Sequence, residues 1–221
     1  VKYLLNKINC FSKYEEVALL KFQEKNYQKA IEEFTKILNI WNNSVLILHK
    51  RAQAKSELKD YEGAIADFTK AIEINKRRHE FYFYRANVKI KIKDNEGAEE
   101  DYTKAIELKP NNALYYISRG ELRVQSQDYE KALLDYDKVL ELEQDNKIAY
   151  RERGLIKLKL KNKDGYCEDI KKSISIGEEN INKEQFKKNC QKKEIAFKKQ
   201  PQKVVLSEQA KYYLDRIKST Y

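Results

Sequence analysis

Two histidines, three cysteines and 35 acidic residues are the raw material from which this chain of 221 residues would have to build a metal site or an acid–base centre. His49 and His79 have neither a cysteine nor a carboxylate cluster beside them at the spacing a metal requires. Cys10, Cys167 and Cys190 are odd in number and show no ligand spacing. That pattern argues against both a disulfide framework and a zinc site, and it leaves the cysteines as small buried apolar residues in a reducing compartment such as the cytoplasm. No glycine-rich phosphate loop and no nucleophile elbow is present, so neither catalysis nor a cofactor is expected. What the residue types do offer is the chemistry of ion pairing and of binding.

The ion-pairing groups are periodic. Arg51, Arg85, Arg119 and Arg153 recur every 34 residues, and Asp67, Asp101, Asp135 and Asp169 recur with them. The first unit, which has Val17 and Glu33 at these places, lacks both. Matched columns that appear and vanish together predict a ladder of ion pairs between helices.

The elements that must position this ladder share the period. "DYEGAIADFTKAIEI", "DNEGAEEDYTKAIEL" and "DYEKALLDYDKVLEL" start at Asp60, Asp94 and Asp128. Extending the 34-residue phase gives five units, starting near Phe11, Val45, His79, Ala113 and Lys147. In the second halves Ala30, Ala64, Ala98 and Ala132 each precede an aromatic by four residues, at Phe34, Phe68, Tyr102 and Tyr136. In the first halves Ala18, Ala52, Ala86, Gly120 and Gly154 sit mid-helix. A small residue and a ring one turn apart share a helix face, so these columns predict close helix crossings. The lysine column Lys36, Lys70, Lys104, Lys138 and Lys172 reads as a solvated outer face.

Over about residues 11–178 the pattern resembles the tetratricopeptide repeat family. The resemblance implies an all-α, right-handed superhelical solenoid of about five helix-turn-helix units, and it implies a protein–protein interaction scaffold. In such proteins the first helices line a concave groove that receives an extended peptide or a partner helix. By that correspondence His49, Gln53, Phe83, Tyr84, Asn87, Ile117 and Glu121 face the groove. Rings supply contact area at small entropic cost, and amides pair with a peptide backbone in both directions. Family members that clamp the C-terminal carboxylate of heat-shock chaperones use lysines, asparagines and an arginine. The matching places hold Glu15, Leu19, Lys50, Glu80 and Tyr84, which make no such clamp.

The segments outside the repeats complete the organisation. Residues 1–10 read as an N-terminal helix or the remnant of a preceding repeat, and residues 11–180 as the five repeats. Residues 181–199 read as a capping helix with Ile181, Phe186, Cys190 and Phe197 on its apolar stripe, and residues 200–221 as a basic amphipathic tail. Net charge is +10, of which +7 falls between Asn182 and Tyr221. The tail therefore fits an acidic surface, and it keeps open a second reading: a basic subunit of a ribonucleoprotein or membrane-associated assembly, with nucleic acid among its partners. No segment has the length and apolarity of a membrane span.

Overall fold

The computed structural model describes residues 14–191, and every regular element among them is helical. Helix α1 covers residues 14–23. It is followed by α2 (Tyr27–Ile40), α3 (Val45–Glu57), α4 (Tyr61–Ile74), α5 (His79–Lys91), α6 (Asn95–Leu108), α7 (Ala113–Gln125), α8 (Tyr129–Leu142), α9 (Lys147–Lys159) and α10 (Lys163–Ser175). A single turn, α11 (Lys183–Phe186), runs into a π-helical turn at Lys187–Gln191. Each helix packs on the next in chain order, so the fold is an all-α solenoid of helix pairs. The expected N-terminal segment and the tail from residue 200 lie outside the described residues.

One turn, repeated five times, sets the angle within each pair. The first helix ends at Lys25, Lys59, Lys93, Gln127 or Lys161, each left-handed with φ between 59° and 64°. A non-glycine residue there costs about 1 kcal/mol. The hydrogen bonds that follow offset it: in the third unit Asp94 N–H donates to the Lys89 carbonyl at 3.0 Å, and the Asp94 side chain accepts from Gly97 N–H at 3.0 Å. A single residue thus closes one helix and caps the next. Asn26, Asp60, Asp128 and Asn162 play the same part.

The small and aromatic columns meet as expected. Ala52, Ala64 and Phe68 share one core cluster, as do Ala86, Ala98 and Tyr102. At Gly120 an added Cβ would stand 3.1 Å from the Tyr136 ring, so the mid-helix glycine answers a close approach and not a helix end.

The ion-pair ladder is present and reaches further than the two columns suggested. Arg85 grips Asp101 with Nε at 2.9 Å and Nη2 at 2.7 Å, while its Nη1 donates to Thr69 Oγ1 of the preceding unit at 2.9 Å. Arg51 and Arg119 repeat this three-helix clamp with Asp67 and Thr35, and with Asp135 and Thr103; Arg153 uses Asp169 and Asp137. A second cation, Lys55, Lys89, Arg123 or Lys157, completes each aspartate. The four aspartates are only 1–5% exposed, which places the ladder in the buried regime.

At the C-terminal end the structure corrects the reading of the cysteines: Cys167 and Cys190 are joined in a disulfide. They are 23 residues apart, the separation that also brings Ile65 to Val88 and Leu133 to Ile156 in the apolar contacts between units. The stacking geometry makes the pair, and no linear motif marks it. The disulfide also removes the cysteine-based ground for a reducing compartment. Ile181, Phe186 and Cys190 pack on Tyr166 and Ile170, covering the open side of the fifth unit. The described part of the expected 181–199 helix is one α-turn and one π-turn, and Phe197 lies outside the described residues.

Two outcomes are expected. Asp101→Ala should cost about 3 kcal/mol in chemical denaturation, at the lower end of the buried-pair range because Arg85 and Lys89 keep some access to water; a change within 0.5 kcal/mol, on the order of an ordinary surface substitution, would remove the ladder from this account. Peptide mapping without reductant should recover a Cys167–Cys190 cross-link, and reduction should lower protection of α10 amides against hydrogen exchange by about 3 kcal/mol.

Candidate functional site

The face opposite the clamps is built from one stripe per first helix. Leu46, His49 and Gln53 lie at i, i+3 and i+7 on α3; Glu80, Phe83 and Asn87 do so on α5; Leu114, Ile117 and Glu121 on α7; Ile148, Arg151 and Leu155 on α9. That spacing puts each triplet on one side of its helix. Leu46 is 50% exposed, Leu114 51% and Ile148 41%, so the stripe carries uncovered aliphatic surface that sequence reasoning had not assigned to it. The signal was available for Leu46 and Leu114, which stand three residues before the predicted groove residues His49 and Ile117.

Between α3 and α5 the structure gathers His49, Phe83 and Tyr84 into one aromatic junction. The His49 ring lies 4.9 Å from Tyr84, 5.6 Å from Phe81 and 5.9 Å from Phe68. Phe83 lies 4.9 Å from Tyr115, 5.5 Å from Tyr84 and 5.8 Å from Tyr102. Phe83 and Ile117 are half-buried and packed on the core, so both are structural as well as accessible. Phe68, Phe81 and Tyr115, absent from the predicted set, complete the junction. The Phe68 column read as core, the Phe81 and Tyr115 column was not singled out, and all three are buried.

Electrostatics follows from this packing. Burial, aided by Lys50, lowers the His49 pKa to about 4, with Glu80 opposing the change. The imidazole is therefore neutral at pH 7. Burial and the charge of Glu80 push the Tyr115 hydroxyl up to about 12, and that hydroxyl lies 2.7 Å from His79 Nδ1.

The floor of the stripe varies in an orderly way from unit to unit. In the third unit the Tyr102 hydroxyl donates to Asn87 Oδ1. One unit earlier the same places hold Gln53 and Phe68, and with no hydroxyl opposite it Gln53 Oε1 is buried without a hydrogen-bond partner among the described residues. One unit later they hold Glu121 and Tyr136, and the Tyr136 hydroxyl is buried and unpartnered. His49 Nε2 and Glu80 Oε2 are the other two such atoms. Gln53, Asn87 and Glu121 thus share a row, but only Asn87 is satisfied among the described residues.

No group of three or more His, Cys, Asp or Glu side chains that could hold a metal occurs among the described residues, and no helix there is long and apolar enough to cross a membrane.

The family profile described as tetratricopeptide repeat matches residues 46–78, 79–112 and 113–146. No curated protein matches the sequence. Among solved structures, a MamA protein aligns with TM-score 0.70 at 20% identity, over 75% of this chain and 91% of its own. YrrB, described as a tetratricopeptide protein with an unusual peptide-binding site, aligns with TM-score 0.65 at 18% identity, over 76% and 86%. The first tetratricopeptide domain of Spaghetti (RPAP3), solved with the HSP90 peptide SRMEEVD, aligns with TM-score 0.50 at 29% identity, over 53% and 93%.

The neutral state of His49 has a measurable consequence. The unfolded chain binds a proton near pH 6.5 and the folded chain only near pH 4, so this contribution to stability is complete above pH 6.5 and is lost as pH falls towards 4. The expected loss is ~2 kcal/mol after allowing for the part of the ring that water reaches. His49→Phe should flatten that part of the pH–stability profile, and proton NMR should place the His49 titration near 4.

Proposed function

We propose that this tetratricopeptide-repeat protein, matched continuously over residues 46–146, is a non-catalytic interaction scaffold that holds a peptide or helix of another protein against the first-helix face of its second to fourth units. His49, Gln53, Phe83, Tyr84, Asn87, Ile117 and Glu121 provide the centre of that face, with Leu46 and Leu114 beside them.

The observation that carries this reading is the uncovered aliphatic stripe interleaved with polar atoms left unsatisfied. Leu46 and Leu114 each leave about half of their surface in water, and Gln53 Oε1 and His49 Nε2 lack partners among the described residues. A bound segment would remove the apolar surface from water at roughly 25 cal/mol per Å2. A scaffold presented on rigid stacked helices also loses little order on binding, which favours recognition by side-chain complementarity.

The partner differs in chemistry from the acidic peptide held by the Spaghetti domain. A carboxylate-rich ligand needs a face of donors. Here Glu80 and Glu121 occupy the face, and Lys50 is turned over the Phe22 ring at 5.4 Å from its centroid.

Peptide-display selection on the immobilised chain, followed by fluorescence anisotropy with the enriched peptides, tests this. Leu46→Glu combined with Leu114→Glu should weaken binding about 30-fold or more while leaving the thermal melt unchanged, because exposed sites rarely alter stability by more than ~0.5 kcal/mol. Leu134→Glu, at a side chain 66% exposed on the outer helix α8, should bind as wild type. Equal loss in both variants, or loss only in Leu134→Glu, would move the interface to the outer face.

A further inference from the structure

The fourth and fifth units carry a feature that the second and third do not. Tyr136 is 0% exposed, yet its hydroxyl has no hydrogen-bond partner among the described residues. The charges that act on it most are Glu152 and then Glu121, from the adjacent first helices α9 and α7. The equivalent hydroxyl one unit earlier is satisfied by Asn87. At the corresponding place Glu121 stays exposed, with no hydrogen bond or ion pair among the described residues. Loss of part of its hydration to the flanking helices, although its side chain stays largely in water, and the like charge of Glu152 raise the Glu121 carboxyl above its ordinary value, with Arg151 opposing. Its anionic form is therefore under-compensated, and a cation placed there would relieve it.

The local cation serves this purpose only in part. Arg151 is held by Glu152, with Nη2 to Oε1 at 2.7 Å, and by Glu178, with Nη1 to Oε1 at 3.3 Å. One guanidinium is thus divided between two carboxylates, and Glu121 is the third. Directly beside Glu152 opens a cavity of about 510 Å3, lined by Val124, Leu155, Leu158, Lys159 and Gln185 among others. Its size admits a large apolar side chain, and its walls come from α7, α9 and the short helix α11, with Tyr129 at the start of α8. The Cys167–Cys190 disulfide anchors the turn that follows α11, so this wall is covalently tied to α10.

We propose that the junction of α7, α9 and α11 is a two-part subsite that takes a lysine or arginine of the bound peptide between Glu121 and Glu152, with a neighbouring large apolar residue of that peptide in the cavity. The proposal rests on the reading of the first-helix face as a peptide-binding surface and names the chemistry of the peptide: a basic residue adjacent to Leu, Ile or Phe. The cation accepts the otherwise unshared charge of Glu121. Its N–H groups donate to that carboxylate, which stands beside the buried Tyr136 hydroxyl. The apolar neighbour supplies the desolvated contact that raises an ion pair above the value of an exposed one.

The test uses the full chain and synthetic fluorescent peptides of a fixed extended sequence carrying Lys-Leu, norleucine-Leu, Lys-Ser or Glu-Leu at the centre. The Lys-Leu peptide should bind most tightly, and each replacement should weaken it about tenfold or more. Glu121→Gln should weaken Lys-Leu about tenfold but leave norleucine-Leu unaffected, Glu121→Lys should abolish Lys-Leu binding, and Tyr136→Phe should weaken it a few-fold. Glu121 is exposed, so its variants keep the fold, and their far-ultraviolet spectra and melts serve as controls. If the peptides bind, and lose binding in Leu46→Glu with Leu114→Glu, but ignore Glu121 and their own charge, the subsite is wrong while the peptide-binding face stands. If none binds this face, both fail. Self-association of the full chain that Glu121→Lys abolishes would assign the site to a second copy and overturn the external peptide.

Discussion

A carboxylate held between two packed helices costs several kcal/mol unless cations reach it with good geometry, and four such carboxylates run through this solenoid. Everything else is arranged around meeting that demand. Each aspartate sits on a second helix, and its arginine reaches it from the first helix of the same unit while spending a remaining donor on the unit before. The guanidinium's planar fork fixes both distance and rotation, which an apolar contact alone would leave free. A second cation comes from one turn further along the same first helix, and the backbone carbonyl of that residue also closes the turn between the helices. Clamp and turn are therefore coupled, and the units repeat their angle because both constraints recur in phase.

Because the clamps engage one side of the first helices, the other side is free of them. Along that side the polar residue and the ring beneath it change step by step, from Gln53 over Phe68 to Asn87 with Tyr102 and then Glu121 by Tyr136. Among the described residues only the middle pair is closed. A frame of nearly identical units thereby carries a face that differs along its length while its core stays the same.

The C-terminal end shows how the stack is terminated. The fifth unit keeps the buried positions Tyr166, Ile170 and Ser173, and it meets a short helix lying in phase with a further first helix. Where earlier units make an apolar contact, this junction has a covalent bond between Cys167 and Cys190. A terminal element of nine residues buries too little surface to hold itself, and a cross-link restores what packing lacks. The same element walls the cavity beside Glu152.

The sequence by itself determined the period, the helix pairs, the small and aromatic core columns and the existence of the arginine–aspartate ladder. All of these repeat at fixed spacing, and repetition turns a weak local preference into a register that only one stacking satisfies. Only the resemblance to the repeat family, and not spacing within any one helix, suggested His49, Phe83 and Tyr84 as neighbours, because they lie on two different helices. Tertiary structure decided the rest. Thr35, Thr69 and Thr103 joined the clamps because the arginines reach across a unit boundary, a contact no spacing within one helix encodes. Cys167 met Cys190 through the same boundary geometry, where sequence counting saw only an odd number. Gln53 Oε1 and the Tyr136 hydroxyl have no hydrogen-bond partner among the described residues because hydrogen bonding in a packed interior depends on the residue opposite, and the one opposite Gln53 is a phenylalanine. Whether a polar side chain is satisfied or free is a property of pairs of helices, and so it became readable only once the helices were placed.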